Sequence, residues 1–233
     1  MQATKSYEGE LYMEINLYLD KYKLLRYNLF KWRYETNLFY KVSLAFSFAC
    51  LIGILSQLRF YLPFNPAVPV TGQTFAVILA GVLLGKWGAA SIGIYLGAGA
   101  AGVPWFAPKL GMPIFSNGGI GAITGATSGY LIGFIFAALF LGFFTDKYIR
   151  SRSFSNILPL MFFANFILIY IPGLVVLYIW WSNFIGSIGL IKLVTIGIIP
   201  FVAGDFIKIF AAATFATTIT PKTSYAKEVD WAK

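Results

Sequence analysis

Six near-continuous apolar stretches constrain this chain more than any motif in it. They run over 39–58 (FYKVSLAFSFACLIGILSQL), 70–85 (VTGQTFAVILAGVLLG), 88–104 (GAASIGIYLGAGAAGVP), 123–145, 158–181 (LPLMFFANFILIYIPGLVVLYIWW) and 200–220, the last opening at Pro200. About 20 apolar residues suffice to cross the hydrocarbon of a bilayer as a helix, and proline is tolerated in a first helical turn, where its missing N–H is not needed. The chain is 58% hydrophobic and only 12% charged, whereas a soluble domain is about 25% charged. A water-soluble fold cannot hide that much apolar surface. The expectation is an all-α integral membrane protein, a six-helix transmembrane bundle over 39–220, with 182–199 as a partly buried connection. Residues 1–38 then form an extension and 221–233 a tail. No cleavable leader is expected, since the first 40 residues have no apolar core.

Basic residues set the expected orientation. Of 18 Lys and Arg, seven lie in 1–41, one is Lys86, three lie in 146–152 and three in the C-terminal tail. Arg59, Lys109 and Lys192 fall on the other side. Both termini are therefore expected in the cytoplasm. Leu11, Ile15, Tyr18, Tyr22, Leu25, Leu29 and Trp32 recur at spacings of three and four, one stripe of a helix. The stripe fits a helix lying in the membrane interface; a helix docked on a partner and a mobile tail are the alternatives. Gly81/Gly85, Gly93/Gly97 and Gly129/Gly133, each four apart, fit close helix crossings.

Composition removes whole classes of chemistry. There is no histidine, and Cys50 is the lone cysteine. An intrachain disulfide is impossible, and neither a His/Cys zinc site nor a histidine-based triad can form. The net charge of +9 does not mark a nucleic-acid binder, because the charges flank apolar runs rather than forming one basic face. No cofactor or metal is called for, and no enzyme is expected.

Two features require explanation. Within FVAGDFIKIF, 201–210, Asp205 and Lys208 share a helix face. Charges inside membrane spans are costly, face the bundle interior and mark function; a self-contained structural ion pair is the alternative. The second feature is 104–130, PWFAPKLGMPIFSNGGIGAITGATSGY. Its prolines and glycines break any helix, yet its aromatics are too apolar for an exposed linker. Irregular backbone at membrane depth must be buried by protein or line a cavity, so the segment is expected to dip into the bundle as a lid, with Trp105, Asn117, Gly118, Gly119 and Tyr130 facing a ligand; a simple packed loop is the alternative. No Gly-Lys-Ser/Thr follows the glycines, which excludes a phosphate loop. Cation, carboxylate, amide and aromatics together suit a small, partly apolar organic acid bound near the outer face.

Four ordered segments, VPVTGQTFAVILAGVLLG, GAASIGIYLGAGAAGVPWFA, NGGIGAITGATSGYLIGF and PFVAGDFIKIFAAA, resemble the signature segments of the BioY family, the biotin-binding S components of energy-coupling factor (ECF) transporters. The resemblance covers about 40–220 and leaves 1–38 outside. It implies a six-helix bundle of the plasma membrane that takes up biotin, energised by an ECF transmembrane coupling subunit and ATPase subunits. On this resemblance Asp205 and Lys208 match a Gly-Asp-x-x-Lys motif. Lys208 would meet the valerate carboxylate, and Asp205 would orient Lys208 or accept a ureido N–H. Thr71 and Gln73 match polar positions that open the second helix. Tyr130 closes a loop motif, read here as Gly125-Ala126-Thr127-Ser128-Gly129-Tyr130 where the family has Gly-Pro-Thr-Gly-Gly-Tyr. Ala45 and Ala49 match the Ala-x-x-x-Ala face that docks the coupling subunit. The same scaffold carrying another small acid or vitamin, and a non-transporting assembly subunit, are the alternatives.

Overall fold

The structure, a computed structural model, describes residues 2–62 and 65–230, with side chains over 13–61 and 68–230. Met1, residues 231–233 of the expected tail and the Leu11 side chain of the stripe lie outside the described residues. The elements are α1 (Gln2–Glu35), α2 (Leu38–Gln57), β1 (Arg59–Leu62), β2 (Asn65–Thr71), α3 (Gln73–Leu84), α4 (Lys86–Ala100), α5 (Ile120–Ile123), α6 (Ser128–Lys147), α7 (Phe154–Phe163), α8 (Tyr170–Phe184), α9 (Leu190–Gly197) and α10 (Ile199–Ile219). Among the described residues, four helical units are long and apolar enough to cross a membrane: Leu38–Gln57, Ser128–Lys147, Phe154–Phe184 and Leu190–Ile219.

The expected second and third spans are shorter than the apolar runs that suggested them. α3 has 12 residues and α4 has 15. At 1.5 Å per residue they reach about 18 and 22 Å, short of a hydrocarbon core of about 30 Å. Residues 70 and 71 belong instead to β2, which pairs antiparallel with β1 through Arg59↔Thr71 and Phe60↔Val70. This hairpin was not expected, because Pro69 and the apolar Val68 and Val70 read equally well as the lead-in to a helix. The fourth span begins at Ser128 rather than 123, and the expected connection 182–199 contains α9.

α6 packs against α3, α4 and α8, and its small residues allow that proximity. A Cβ on Gly129 would stand 2.1 Å from Pro172 O, and one on Gly133 would stand 2.6 Å from Ile169 Cα. Gly81 meets the backbone of Ala138 in the same way, whereas Gly93 and Gly97 have open space around them. α7 runs into α8 through a widened π-turn, Ala164–Ile169. Pro172 lacks the N–H that would reach Leu168 O, and a proline ring crowds the carbonyl four residues before it. A widened turn just ahead of it relieves that conflict.

Segment 104–130 dips inward at both ends and not in its middle, with Ala126, Ser128 and Tyr130 buried at the far end. Trp105 and Phe106 are buried, while Leu110, Met112, Ile114 and Phe115 are exposed. The hairpin pins this exposed stretch: Arg59 donates to Met112 O and Tyr61 to Pro108 O. Its far end returns to α4 through Gly119 N–H to Gly99 O, 2.7 Å.

Two further expectations change. Ala45 and Ala49 are completely buried, on a helix that packs chiefly against α4 and then α3. Their methyls are covered by the chain itself and are not presented to a partner. Residues 221–230 do not trail away; they fold back onto α1 and α6. Arg33 pairs with Asp146 and donates to Tyr225 Oη (2.9 Å), and buried Arg152 pairs with buried Glu228 at 2.7 Å. The apolar stripe of α1 faces outward: Ile15, Tyr18, Leu25, Leu29 and Trp32 are exposed, whereas Phe30 and Arg33 are buried against the chain.

Candidate functional site

The Asp205–Lys208 pair forms as helix geometry dictates, one turn apart on α10. Asp205 is 2% exposed. A buried pair is tolerable only if its remaining donors and acceptors are satisfied, and here they are. Lys208 Nζ donates to Thr71 O (3.0 Å) and to Thr74 Oγ1 (2.7 Å) as well as to the carboxylate. Asp205 also accepts from Thr74 Oγ1 (3.4 Å), Asn165 Nδ2 (2.7 Å) and the Tyr170 hydroxyl. Thr71 stands at the end of β2 and Thr74 in the first turn of α3, so the strand-to-helix corner delivers both acceptors to Lys208.

Thr74, Asn165 and Tyr170 were not anticipated from the sequence. Asn165 carried a usable signal, being the one amide inside the apolar run 158–181. It lies in the π-turn, which resets the angular register of α7–α8 and brings Asn165 and Tyr170, five residues apart, onto the same carboxylate. Asn165 is itself wholly buried, and its Oδ1 has no partner among the described residues.

A cavity of about 650 Å³ opens above this cluster, and Thr71, Gln73, Asn117, Tyr130, Asp205 and Lys208 all line it. Gln73 is held in a relay: Thr71 Oγ1 donates to its Oε1 (3.0 Å), and its Nε2 donates to Tyr95 Oη (2.8 Å). Asn117 donates to Ala107 O at 2.7 Å. The Tyr130 hydroxyl donates to Gly197 O at 2.8 Å, tying α6 to α9, and its ring meets those of Tyr170 and Phe201. Phe106, Phe134, Tyr170, Trp180 and Phe201 give the wall an aromatic character. Tyr61 lines the rim, where burial pushes its hydroxyl pKa up against the opposing charge of Arg59.

Trp105, Gly118 and Gly119 do not line the cavity. Trp105 packs behind it on Tyr95, with its indole N–H on Tyr95 O at 2.9 Å. Its carbonyl accepts from Ser56 and Gln57. Gly118 is pressed to the backbone of Val103, where a Cβ would fall 2.7 Å from a carbonyl oxygen. Both residues shape the wall from outside. Lys109, which does not stand out in the sequence, joins the pocket at the loop; its backbone carbonyl accepts from Met112 N–H, while its ammonium has no hydrogen bond or ion pair among the described residues. The arrangement provides a polar end, an aromatic wall and two cations. These are the groups with which a site recognises a ligand that is polar at one end and apolar at the other.

Comparison with known proteins gives a consistent result. The chain is 49% identical over 154 residues to the probable biotin transporter BioY of Methanothermobacter thermautotrophicus, covering 65% of this chain and 94% of that one. It is 34% identical over 184 residues to the probable biotin transporter BioY of Pyrococcus horikoshii, covering 78% and 98%. The crystal structure of the S-component for biotin from an ECF-type ABC transporter superposes with a TM-score of 0.65 at 26% identity, over 78% of this chain and 92% of that one. The sequence model of the BioY family matches residues 31–225, and with most of its length so matched the chain belongs to the BioY family.

Proposed function

We propose that this protein takes up biotin as the S component of an ECF-type transporter. Relatives named as biotin transporters support the reading, as does the likeness to an S-component for biotin. The observation that carries it is the cavity itself. Biotin has a polar ureido head, an apolar ring and tail, and a terminal carboxylate. A cavity of about 650 Å³ with a polar end, aromatic walls and cations matches each part, and falls in the usual range of about 300–1,000 Å³ for small-molecule sites. The protein is a carrier and performs no chemistry on its ligand.

In this reading α2, α3, α4, α6, α7–α8 and α9–α10 are the six helical units of the bundle in the plasma membrane, with both termini cytoplasmic. Support comes from the 14 of 18 basic residues assigned to that side and from the meeting of α1, the end of α6 and the tail at one end of the bundle. The cavity and segment 104–127 then face outward, and α1 lies along the cytoplasmic interface. Energy comes from an ECF coupling subunit and its ATPases, which dock on a surface other than the buried Ala45–Ala49 face.

Two cations compete for the carboxylate. Lys208 matches the family motif, but its three N–H groups are already spent on Asp205, Thr74 and Thr71. Lys109 is uncommitted. Calorimetry with biotin on the purified chain tests the function, and absence of binding overturns it. Repeating the titration with the uncharged amide of biotin on Lys208→Met and Lys109→Met separates the cations. The lysine that reads the carboxylate is the one whose loss abolishes discrimination between acid and amide, an effect of about 10- to 150-fold for a charge-assisted hydrogen bond.

A further inference from the structure

A second cavity, of about 850 Å³, lies at the opposite end of the bundle. Its floor is tightly built. Gly85 joins α3 to α4 with φ +61°, and a Cβ there would fall 1.8 Å from Asp146 Oδ2. Only glycine fits under that carboxylate. Arg33 reaches over from α1 to pair with Asp146, and Tyr225 donates to the same oxygen at 2.9 Å. The one carboxylate lining the cavity is thereby neutralised.

Four more cations line the same space: Lys41 from α2, Lys86 from α4, Lys147 from α6 and Lys227 from the C-terminal segment. None has a carboxylate partner among the described residues; Lys147 rests over the Phe143 ring at 4.9 Å. Uncompensated like charges gathered in one concavity focus a positive potential, which a bound anion would relieve. The remaining wall is apolar. It includes Trp87 and, on α6, Leu139 and Phe143, which are exposed on the outer face of a helix of membrane-spanning length. A free phosphate would use only the cations. A molecule with an anionic head and a hydrocarbon chain would use both parts.

We propose that this cavity binds the phosphate headgroup of an anionic phospholipid, with Lys41, Lys86, Lys147 and Lys227 around the phosphate and an acyl chain along Leu139 and Phe143. Basic pockets between spanning helices are known sites for such headgroups. α1, whose last turns form one wall, leaves Leu25, Leu29 and Trp32 exposed beside it, as a segment lying on lipid would. The proposal rests on the chain's place in a membrane and not on its ligand, so it stands or falls separately from biotin binding.

The test uses the full chain in nanodiscs of phosphatidylcholine with or without phosphatidylglycerol. Quenching of Trp87 by brominated lipid is taken as the difference between the wild type and Trp87→Phe. Brominated phosphatidylglycerol is expected to quench Trp87 well beyond brominated phosphatidylcholine. Lys86→Gln with Lys147→Gln should lower that preference about tenfold or more, at roughly 1 kcal/mol per basic residue. Lys21→Gln with Lys31→Gln, outside the cavity, should leave it intact. Biotin titration on each preparation reports that the variants are folded. Equal quenching by both lipids overturns the proposal, as does an unchanged preference in the Lys86/Lys147 variant. Competition by inorganic phosphate as strong as that by phosphatidylglycerol would mean a soluble-anion site and also overturns it. Loss of energising-subunit co-purification with unchanged lipid preference would assign the cavity to an acidic protein partner instead.

Discussion

Asp205 accepts four hydrogen bonds within the chain, and that count decides between its two readings. A carboxylate already occupied by Lys208, Thr74, Asn165 and Tyr170 is first a holder of the pocket. Asp205→Asn is expected to destabilise the ligand-free protein by about 3–5 kcal/mol, the usual cost of breaking a buried ion pair from one side. Tyr170→Phe should cost about 1.5–3 kcal/mol, as for a hydrogen bond to a charged acceptor. Thermal melting in detergent without biotin checks both. If Asp205→Asn melts like the wild type but binds biotin weakly, the carboxylate serves the ligand instead.

Among the elements, α2 and the α6–α8 crossing carry the clearest expectations. Ala45 and Ala49 are enclosed by neighbouring helices, so Ala45→Trp with Ala49→Trp inserts two large rings where no space exists. Overpacking of this kind costs about 1–3 kcal/mol per site or more. The double variant should therefore lose yield and biotin binding together, and normal binding with selective loss of the coupling subunit would restore the docking role. Gly129→Leu should separate α6 from α8 at Pro172 and displace Tyr130, whose ring closes the cavity one residue on. Its signature is biotin affinity falling more than in Gly93→Leu, where the side chain would enter open space.

At the scale of the whole molecule, the C-terminal segment acts as a clasp around Arg152. That guanidinium donates to Thr145 O, Pro221 O and Thr223 O, pairs with Glu228 and lies 4.4 Å from the Tyr225 ring. Burial pushes the Glu228 pKa up, but Ser224, Arg152 and the Tyr225 N–H outweigh it and hold the carboxyl at about 2, against 4.5 for a free one. Between those values the unfolded segment binds the proton more tightly. The clasp's stability from this group is thus complete above about pH 4.5 and disappears as pH falls towards 2. Burial, and then repulsion from Arg26 and Arg152, lower Lys222 to about 8 from 10.5. Here too the unfolded state holds the proton more tightly within the window, so stability rises as pH increases from about 8 to 10.5. Hydrogen exchange of 221–230, corrected for intrinsic rates, should show protection falling on acidification in the wild type. Glu228→Gln should show weak protection with the acid step gone, and an unchanged profile in that variant would remove Glu228 from the clasp.

The sequence alone determined what local geometry can encode. Apolar runs of spanning length demand lipid, a three-residue spacing places Asp205 beside Lys208, and four ordered segments point to a family and a ligand. Each inference needs only the pitch of a helix or the identity of neighbours in the chain. What brings Asn165 and Tyr170 to Asp205 is a π-turn ahead of Pro172, set against an α6 that only glycines allow so close. What hides Ala45 and Ala49 is the choice of α4 and α3 as neighbours of α2. The basic cavity collects Lys41, Lys86, Lys147 and Lys227 from four separate segments, and none of those residues stands out in its own. These were decided by tertiary structure, because periodicity specifies which face of a helix is apolar but not which helix that face will meet.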